Sequence, residues 1–546
     1  MEEVVLQHFM MPSGIVRGTE LLYCRTEHDS FPVHLLKDES LDLRSHFNLI
    51  PIGVLKKYGI DEITIEVDIQ GEAEISLFID DSETPISKNK ITDAISFKIE
   101  NGNLLGVIIT SLSDCTITGG RVIISSNDLK KIRLALVICT YRREAVVSSK
   151  ISSVMSFIVE NNLDDIVDMI VVDNGSTLDI SGVKLIQSKN YGGSAGFSRG
   201  MIEAVNDGCT HIVLNDDDAL LEPEILFRTI SLLSIIGDDA IIGGSMISLE
   251  DPSIVYESGA ICNGSELYSN CRNVDISNIG GNLEIAKDKM IDYTGWWYSV
   301  FPASLVRMIG YPLPFFFKED DVEYGLRSNT EKIMVCGISV WHPVPKYDPS
   351  VNYYYVRNHL ITVASHGLLD RKMIKSFISK ILLEISAYRY DGADMMMMGL
   401  KDFIKGPELV YEKCKSGVVS RKIEYRSLYD LREDDDYSSE PPGQGFLFRL
   451  MTMNGLFLPS VGNTEKDARD METKDFYRMK KILYRVDEER GFIAKIDRRR
   501  TIKLSVMAVW LFLSLSFKKK RLFKKYHNSL SQYISEDNWN KILDVE

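Results

Sequence analysis

The sequence predicts three domains: a β-sandwich over residues 1–127, an α/β domain with a mostly parallel sheet over 128–365, and an α-helical domain over 366–546. Three observations carry this prediction. The first 127 residues alternate apolar and polar side chains in short runs punctuated by Gly and Asp/Asn turns, the pattern of half-buried strands. From residue 128 continuous apolar runs alternate with helical spacing, and such units pack as a parallel sheet flanked by helices. Beyond residue 366 the spacing is mainly helical.

In the first domain Ile63, Ile65, Val67 and Ile69 share one strand face, as do Ile95, Phe97 and Ile99; Val107–Thr110 and Arg121–Ile124 are further short strands. Nothing there suggests catalysis. The second domain opens on the apolar run Leu134–Cys139, followed by helical spacing through residue 160. Ile166–Val172 reads as a second strand and Lys184–Gln187 as a third, before a Gly-rich turn, a helix and the strand His211–Leu214. Glu222-Pro223-Glu224 places Pro and acids where the next helix begins. In the third domain an acidic, Pro/Gly-rich loop, Arg432–Gly445, interrupts the helices. Its Asp434–Asp436 triplet follows no strand and reads as solvated, and Met395–Met398 as core filler.

Length and charge exclude other classes. A chain of 546 residues suits two to four domains, and a net charge of −15 argues against a nucleic-acid binder. The eight cysteines form no Cys-x-x-Cys pair, which argues against structural zinc or a disulfide framework and for a reducing cytosol. The segment Met1–Val5 lacks the features of a signal peptide. Leu504–Phe517 is 14 residues long, against about 20 for a membrane span. Residues 498–525 nevertheless hold ten Lys or Arg and no acid. A basic, Trp-bearing helix pair there could lie on an anionic membrane surface, or be a buried terminal helix with a solvated basic end.

Chemistry concentrates at strand ends, where α/β sheets bind ligands. Asp216, Asp217 and Asp218 directly follow an apolar strand. Alternate residues of an extended segment point the same way, so Asp216 and Asp218 could share a hard divalent ion; a solvated acidic turn is the alternative. Cys139-Thr140-Tyr141-Arg142-Arg143 ends the first strand and Asp173-Asn174-Gly175-Ser176 the second. Tyr141 and Asp173 could serve a uracil or ribose; Arg143, the Gly192-Gly193 turn and the Asp triplet could serve a diphosphate. Trp296 and Trp297 offer an indole platform for a sugar, or a core element. Asp321 could act as a general base, or Glu319–Asp321 could cap a helix. His342, after a strand-like run from Lys332 to Val340, is a candidate third metal ligand.

Together these residues resemble the family 2 glycosyltransferases of the GT-A type. Within them Asn190–Gly200, Gly295-Trp-Trp297, Pro312-Leu-Pro314, Asp320–Arg327, Trp341-His342 and Tyr354–Asn358 resemble the polymerising galactofuranosyltransferases of the mycobacterial cell wall. The resemblance covers residues 130–365 and implies a Rossmann-like GT-A domain, a UDP-galactofuranose donor and a Mn²⁺ or Mg²⁺ ion. It implies metal ligands at Asp216, Asp218 and His342, with Asp217 facing the donor sugar. Asp321 would be the base, Asp320 would bind acceptor hydroxyls, and Trp296 and Trp297 would form the acceptor platform. Thr140, Tyr141, Arg143, Asp173, Asn190 and Gly193 would hold the UDP. Four positions depart from the pattern: Tyr141, Arg142, Asn174, and Glu319 in place of a tryptophan beside the acceptor.

The expected function is inverting transfer of galactofuranose to a glycan in cell-surface polysaccharide synthesis. The expected acceptor is lipid-linked, at the cytosolic membrane face, and the enzyme a peripheral protein that could form homo-oligomers. Transfer of another UDP- or dTDP-sugar, a non-catalytic glycan-binding relative and a nucleotidyltransferase are the competing readings.

Overall fold

Residues 2–91, 94–412, 419–433, 435–469 and 471–544 are described in the computed structural model. Residues 2–126 build two antiparallel sheets. In one, Cys115–Ser126 pairs with Glu2–His8, Val33–Leu35 and Glu62–Gln70, and the last also pairs with Ala94–Lys98. The other runs Ser40–Asp42, Leu105–Ser111, Ala73–Ile79, Ser87–Lys90. The alternation seen in sequence is burial: Ile63, Ile65 and Val67 face inward while Glu62 and Asp68 are exposed. These sheets share one apolar core with the central domain. Helix Glu224–Ile236 sits on the first strand, with Ser231 Oγ donating to Val5 O at 2.7 Å and Arg228 Nη2 to His8 O at 3.0 Å.

The central sheet is numbered from its own first strand. β1 (Leu134–Thr140) lies in parallel between β2 (Val167–Asp173) and β4 (His211–Asp216), and β3 (Lys184–Gln187) extends the edge beyond β2. Register pairs Thr140 with Asp173 and Cys139 with Asp216, so three strands end level on one rim. Helices α1 (Glu144–Glu160) and α2 (Gly193–Asn206) follow β1 and β3. Two glycines let α2 lie close on β1: a Cβ at Gly196 would fall 2.1 Å from Cys139 Sγ, and one at Gly200 2.2 Å from Val137 Cγ1.

Beyond β4 the sheet is mixed, which corrects the expectation of a mostly parallel one. β5 (Ala240–Ser248) and β7 (Glu331–His342) are parallel to each other, but β6 (Ser299–Pro302) runs antiparallel between β4 and β5. The chain between β5 and β6 makes short hairpin strands and no sheet-length crossover, so it returns from the end at which it left. Every residue of β6 is buried, leaving no alternation from which to read it.

Helix α4 (Pro349–Ser365) closes the central region; the third region contains helices α5 (Arg371–Ser386) and α6 (Tyr390–Lys405), and also a sheet that the sequence reading missed. Its strands are Arg426–Ser427, Gly462–Asp467, Met479–Arg485 and Arg490–Lys495. Ile482, Leu483 and Tyr484 are consecutive and all buried, a short run that periodicity does not separate from helix. Asp435 is ion-paired to Lys481 rather than solvated; Asp434 and Cys414 lie outside the described residues. The expected basic helix pair is one 36-residue helix, α7 (Arg498–Tyr533), long and apolar enough by composition to cross a membrane. Leu504, Ala508, Leu511 and Leu515 are buried in the helical core, while Val506, Val509, Trp510, Leu513 and Phe517 are exposed. The 14-residue apolar run underestimated the helix because the Lys-rich stretch after it is itself a good helix former.

Candidate active site

The metal-ligand candidates meet. β4 ends at Asp216, and the pairing of Ser248 with His342 brings the end of β7 to the same rim. Ligand atoms of Asp216, Asp218 and His342 all lie within 4.8 Å of one another. His342 Nε2 is 2.9 Å from Asp218 Oδ1 and 3.7 Å from Asp216 Oδ2. Burial pushes the Asp216 carboxyl up to about 6 against the pull of His342. Burial also acts upward on Asp218, but the His342 bond and the Arg143 charge outweigh it and hold that carboxyl well below the usual range. Two carboxylates and an imidazole converging on one point are a donor set that fits Mn²⁺, with Mg²⁺ less suited to the imidazole.

A group absent from the sequence reading supports this cluster. Lys150 lies on the buried stripe of α1 with Val147, Ile151 and Val154, and its Nζ donates to Asn215 Oδ1 at 2.9 Å and to Asp216 O at 2.5 Å. Burial pushes its ammonium down to about 8, against the raising effect of the three aspartates. A lysine at i+3 from one apolar stripe position and i−1 from another was the available signal. Lys150→Met should keep most of the packing but leave Asn215 Oδ1 unpaired, while Asp216 O keeps the Ala219 N–H at 3.2 Å. The expected loss is about 1–3 kcal/mol in denaturant unfolding.

On the nucleotide side the structure shows what several of the candidate residues contact. Asp217 accepts from Thr140 Oγ1 and Arg143 Nη1, both at 2.8 Å. Arg143 also pairs with Asp218 at 2.6 Å, so the first strand's motif steadies the triplet. Asp173 is fully buried and accepts from the backbone N–H of Gly175, Thr177 and Leu178 at 2.8, 2.6 and 2.7 Å. It organises its own turn. Asn190 Oδ1 accepts from Gly192 N at 3.0 Å and shapes the glycine turn. Gly192 has φ +86°, and a Cβ there would overlap Phe316 O at 1.9 Å, whereas one at Gly193 would meet nothing within 4 Å. The turn therefore pairs a packing glycine with an open amide at the N-terminus of α2, a geometry suited to an anion. Tyr141 is exposed after the first strand, with the Arg142 guanidinium 5.2 Å from its ring.

Asp320 and Asp321 begin α3 (Asp320–Arg327) after a strained loop: Phe316, Lys318 and Glu319 have φ of +77°, +68° and +71°. Non-glycine residues adopt such angles at a cost, so the surroundings must impose them. The Tyr354–Asn358 segment of α4 does so. Asn358 Nδ2 donates to Phe317 O at 3.0 Å and Lys318 O at 2.9 Å, and Arg357 Nη2 donates to Phe315 O. Buried Glu319, which departs from the family pattern, makes a 2.9 Å bond with buried His359. Asp320 accepts from Ser194 Oγ of α2 at 2.7 Å. Burial, then the charge of Asp320, raises the Asp321 carboxyl well above its ordinary value, and burial raises Asp320 too. Enclosure thus sets the Asp321 carboxyl apart from an ordinary exposed one.

One cavity of ≈ 470 Å³ is lined by Asp216, His342, Asp320 and Asp321, with Gly193, Trp296 and Trp297 also in its wall. The two tryptophans differ. Trp297 donates from Nε1 to Gly244 O at 2.8 Å and folds back over Gly295, where a Cβ would lie 2.2 Å from its ring. Trp296 is buried edge-on against Phe197 and Tyr324, a wall rather than an open platform. Its Nε1 has no partner, and neither have Glu257 Oε1 and Asn352 Nδ2, which line the same cavity. Buried polar atoms are normally bonded, so three orphans around one cavity mark where a hydroxyl-rich ligand would bind. Glu257 and Asn352 lie in no motif, and sequence reasoning missed both.

No family model matches the chain. It is 22% identical over 444 residues to galactofuranosyltransferase GlfT2 of Mycolicibacterium smegmatis, spanning 72% of this chain and 68% of that protein. It is 27% identical over 252 residues to galactofuranosyltransferase GlfT2 of Mycobacterium tuberculosis, spanning 42% of this chain and 40% of that protein. Solved structures with some likeness include a mannosyltransferase from Pyrobaculum calidifontis in complex with GDP-Man and Mn²⁺, at 11% identity over 54% of this chain and 79% of that one, TM-score 0.31. Another is S. aureus TarS 1–349 in complex with UDP-GlcNAc, at 12% identity over 53% of this chain and 84% of that one, TM-score 0.31. Carrying the metal-ligand candidates, the paired aspartates and the tryptophan pair on one α/β domain, this chain is similar in sequence to galactofuranosyltransferases.

Proposed function

We propose that the protein is an inverting glycosyltransferase that moves galactofuranose from UDP-galactofuranose to a hydroxyl of a glycan acceptor. The observation that carries this reading is the single cavity shared by the Asp216–His342 wall and the Asp320–Asp321 wall. Asp216, Asp218 and His342 would hold Mn²⁺ or Mg²⁺. A bound ion supplies Lewis-acid neutralisation of the diphosphate leaving group. Arg143, Tyr141 and the Gly193 amide bind and orient the UDP moiety, while Asp173 and Asn190 shape the loops beneath it. Asp321 takes the proton of the acceptor hydroxyl as that oxygen bonds to the anomeric carbon, and the bond from that carbon to UDP breaks on the opposite face. Asp320, fixed by Ser194, binds an acceptor hydroxyl, and Trp296, Glu257 and Asn352 supply further partners.

The test is incubation with a panel of UDP-sugars and galactoside acceptors, read by product mass and linkage. UDP-galactofuranose should be the preferred donor. Transfer from another donor alone would overturn the donor assignment.

The same reading places the enzyme at the cytosolic face of a membrane, with its exposed α7 stripe on anionic lipid and a lipid-linked acceptor. Trp510 is 60% and Phe517 87% exposed, and Lys518–Lys520 follow directly. Replacing both aromatics by glutamate should lower sedimentation with anionic vesicles by about tenfold or more. Transfer to soluble acceptors should be unchanged. Equal vesicle binding by the variant would remove α7 from the contact. The antiparallel sheets before residue 128 are read as a β-sandwich domain, with the transferase domain over 128–365 and the α7-bearing domain over 366–546.

A further inference from the structure

The strand that delivers His342 is not regular. β7 pairs with β5 from Ala240 with Glu331 to Gly243 with Met334, and again from Ser245 with Ser339 to Ser248 with His342. Between Met334 and Ser339 β7 advances five residues while β5 advances two, so three extra residues are bulged out. With regular pairing Ser339 would stand opposite Ser248, and His342 would overshoot the rim by roughly 10 Å, at about 3.3 Å per residue. The excess is odd, so it also turns His342 to the face opposite the one that unbroken alternation from Met334 would give it. The bulge therefore sets both the height and the facing of a metal-ligand candidate.

The first domain packs into the bulge. Gly337 there has φ +84°, and a Cβ on it would fall 2.9 Å from Arg228 Nη1 and 3.3 Å from His46 O. Cys336 packs with Leu49 and Leu104 in one small apolar cluster. His46 is fully buried between the domains. Its Nδ1 is 2.6 Å from Asn282 Oδ1, and its Nε2 is 2.8 Å from Oγ of Ser339, the residue at which register resumes. Asn282 Nδ2 donates to Ile276 O and Asn278 O, both at 2.8 Å, which leaves its Oδ1 to accept from His46 Nδ1–H. His46 Nε2 then accepts from the Ser339 hydroxyl. Burial pushes the His46 imidazole down to about 4, so the ring is neutral and keeps this arrangement at ordinary pH. Phe47 adds a second contact, its ring 5.5 Å from that of Trp341, the residue before His342.

We propose that His46 is a positioning residue of the metal site: through Ser339 it pins the β7 bulge, and so brings His342 to Asp216 and Asp218. The first domain thereby acts on donor binding from outside the cavity. This rests on the reading of Asp216, Asp218 and His342 as metal ligands.

The experiment measures Mn²⁺ affinity in the presence of UDP by calorimetry, together with donor and acceptor KM, for the wild type, His46→Ala, Ser339→Ala and Ser231→Ala. Ser231→Ala is the control, because it removes an interdomain hydrogen bond, to Val5 O, that is not on β7. His46→Ala and Ser339→Ala should each weaken Mn²⁺ binding by about tenfold, as loss of a partner behind the ligands does. Both should raise the donor KM and leave the acceptor KM unchanged. Ser231→Ala should lower the Tm but keep wild-type Mn²⁺ affinity and both KM values. Wild-type Mn²⁺ affinity in His46→Ala and Ser339→Ala, or equal weakening by Ser231→Ala, would overturn the proposal. Should His46→Ala fail to fold, Ser339→Ala decides. A wild type that binds no Mn²⁺ would count against the metal site alone. Crystal structures of the wild type and Ser339→Ala would then decide the positioning role. It stands if His342 Nε2 leaves its 2.9 Å contact with Asp218 Oδ1 in the variant, and falls if that contact is kept.

Discussion

Asp321→Asn is expected to lower kcat by about 10³-fold, with UDP affinity in the presence of Mn²⁺ unchanged. Steady-state kinetics and calorimetry with UDP check the two halves, and a loss of UDP affinity in this variant would place Asp321 in the donor site instead. The raised carboxyl has a pH signature. Burial and then the Asp320 charge hold the Asp321 proton to well above the ordinary carboxylate range. The acidic limb of kcat/KM should therefore lie well above pH 4, with activity lost as pH falls through it. Asp320→Asn removes the neighbouring negative charge and should move that limb to lower pH. There is also a stability signature. A carboxyl with its folded pKa above its unfolded one binds its proton more tightly when folded, so stability falls as pH rises from the unfolded toward the folded pKa. The Asp321→Asn variant should thus unfold at higher temperature than the wild type at pH 8, and this difference should vanish below about pH 4.

Asp218→Ala is expected to weaken Mn²⁺-dependent UDP binding by about 10²-fold, because it removes one of the three proposed metal ligands. Chelation of the wild type should abolish turnover and restoration of Mn²⁺ should return it. The fold should survive the change, because Asp218 is part-exposed and bonds outward to His342 and Arg143. Calorimetry with UDP in Mn²⁺ and in chelator is the measurement. Unchanged affinity in Mn²⁺ would remove Asp218 from the metal site.

Much of the site was legible in sequence for a local reason. An apolar run that stops at polar residues marks the end of a buried strand, and ligands gather at such ends. That rule found Thr140, Asp216 and Asp218 without knowledge of register, and register then placed them on one rim. Asp173 was found by the same rule, but its bonds to the amides of Gly175, Thr177 and Leu178 form only after the turn closes and are not legible in sequence. Lys150, Glu257 and Asn352 were missed because each is a single polar residue outside a motif, and burial alone gives it meaning. The Tyr354–Asn358 motif was visible in the resemblance, yet its function as a clamp on the strained 316–319 loop depends on carbonyls some forty residues upstream.

By itself the sequence determined the α/β character of the central region, the strand-end placement of the acidic triplet and its neighbours, and the likeness to galactofuranosyltransferases. These follow from local apolar spacing and residue order. Only the tertiary structure decided the antiparallel course of β6, the single helix of α7, and the shared cavity of Asp216, His342 and Asp321. Direction, burial and enclosure depend on which segments pack together across hundreds of residues, and the raised carboxyl of Asp321 is a consequence of that enclosure rather than of any neighbour in the chain alone.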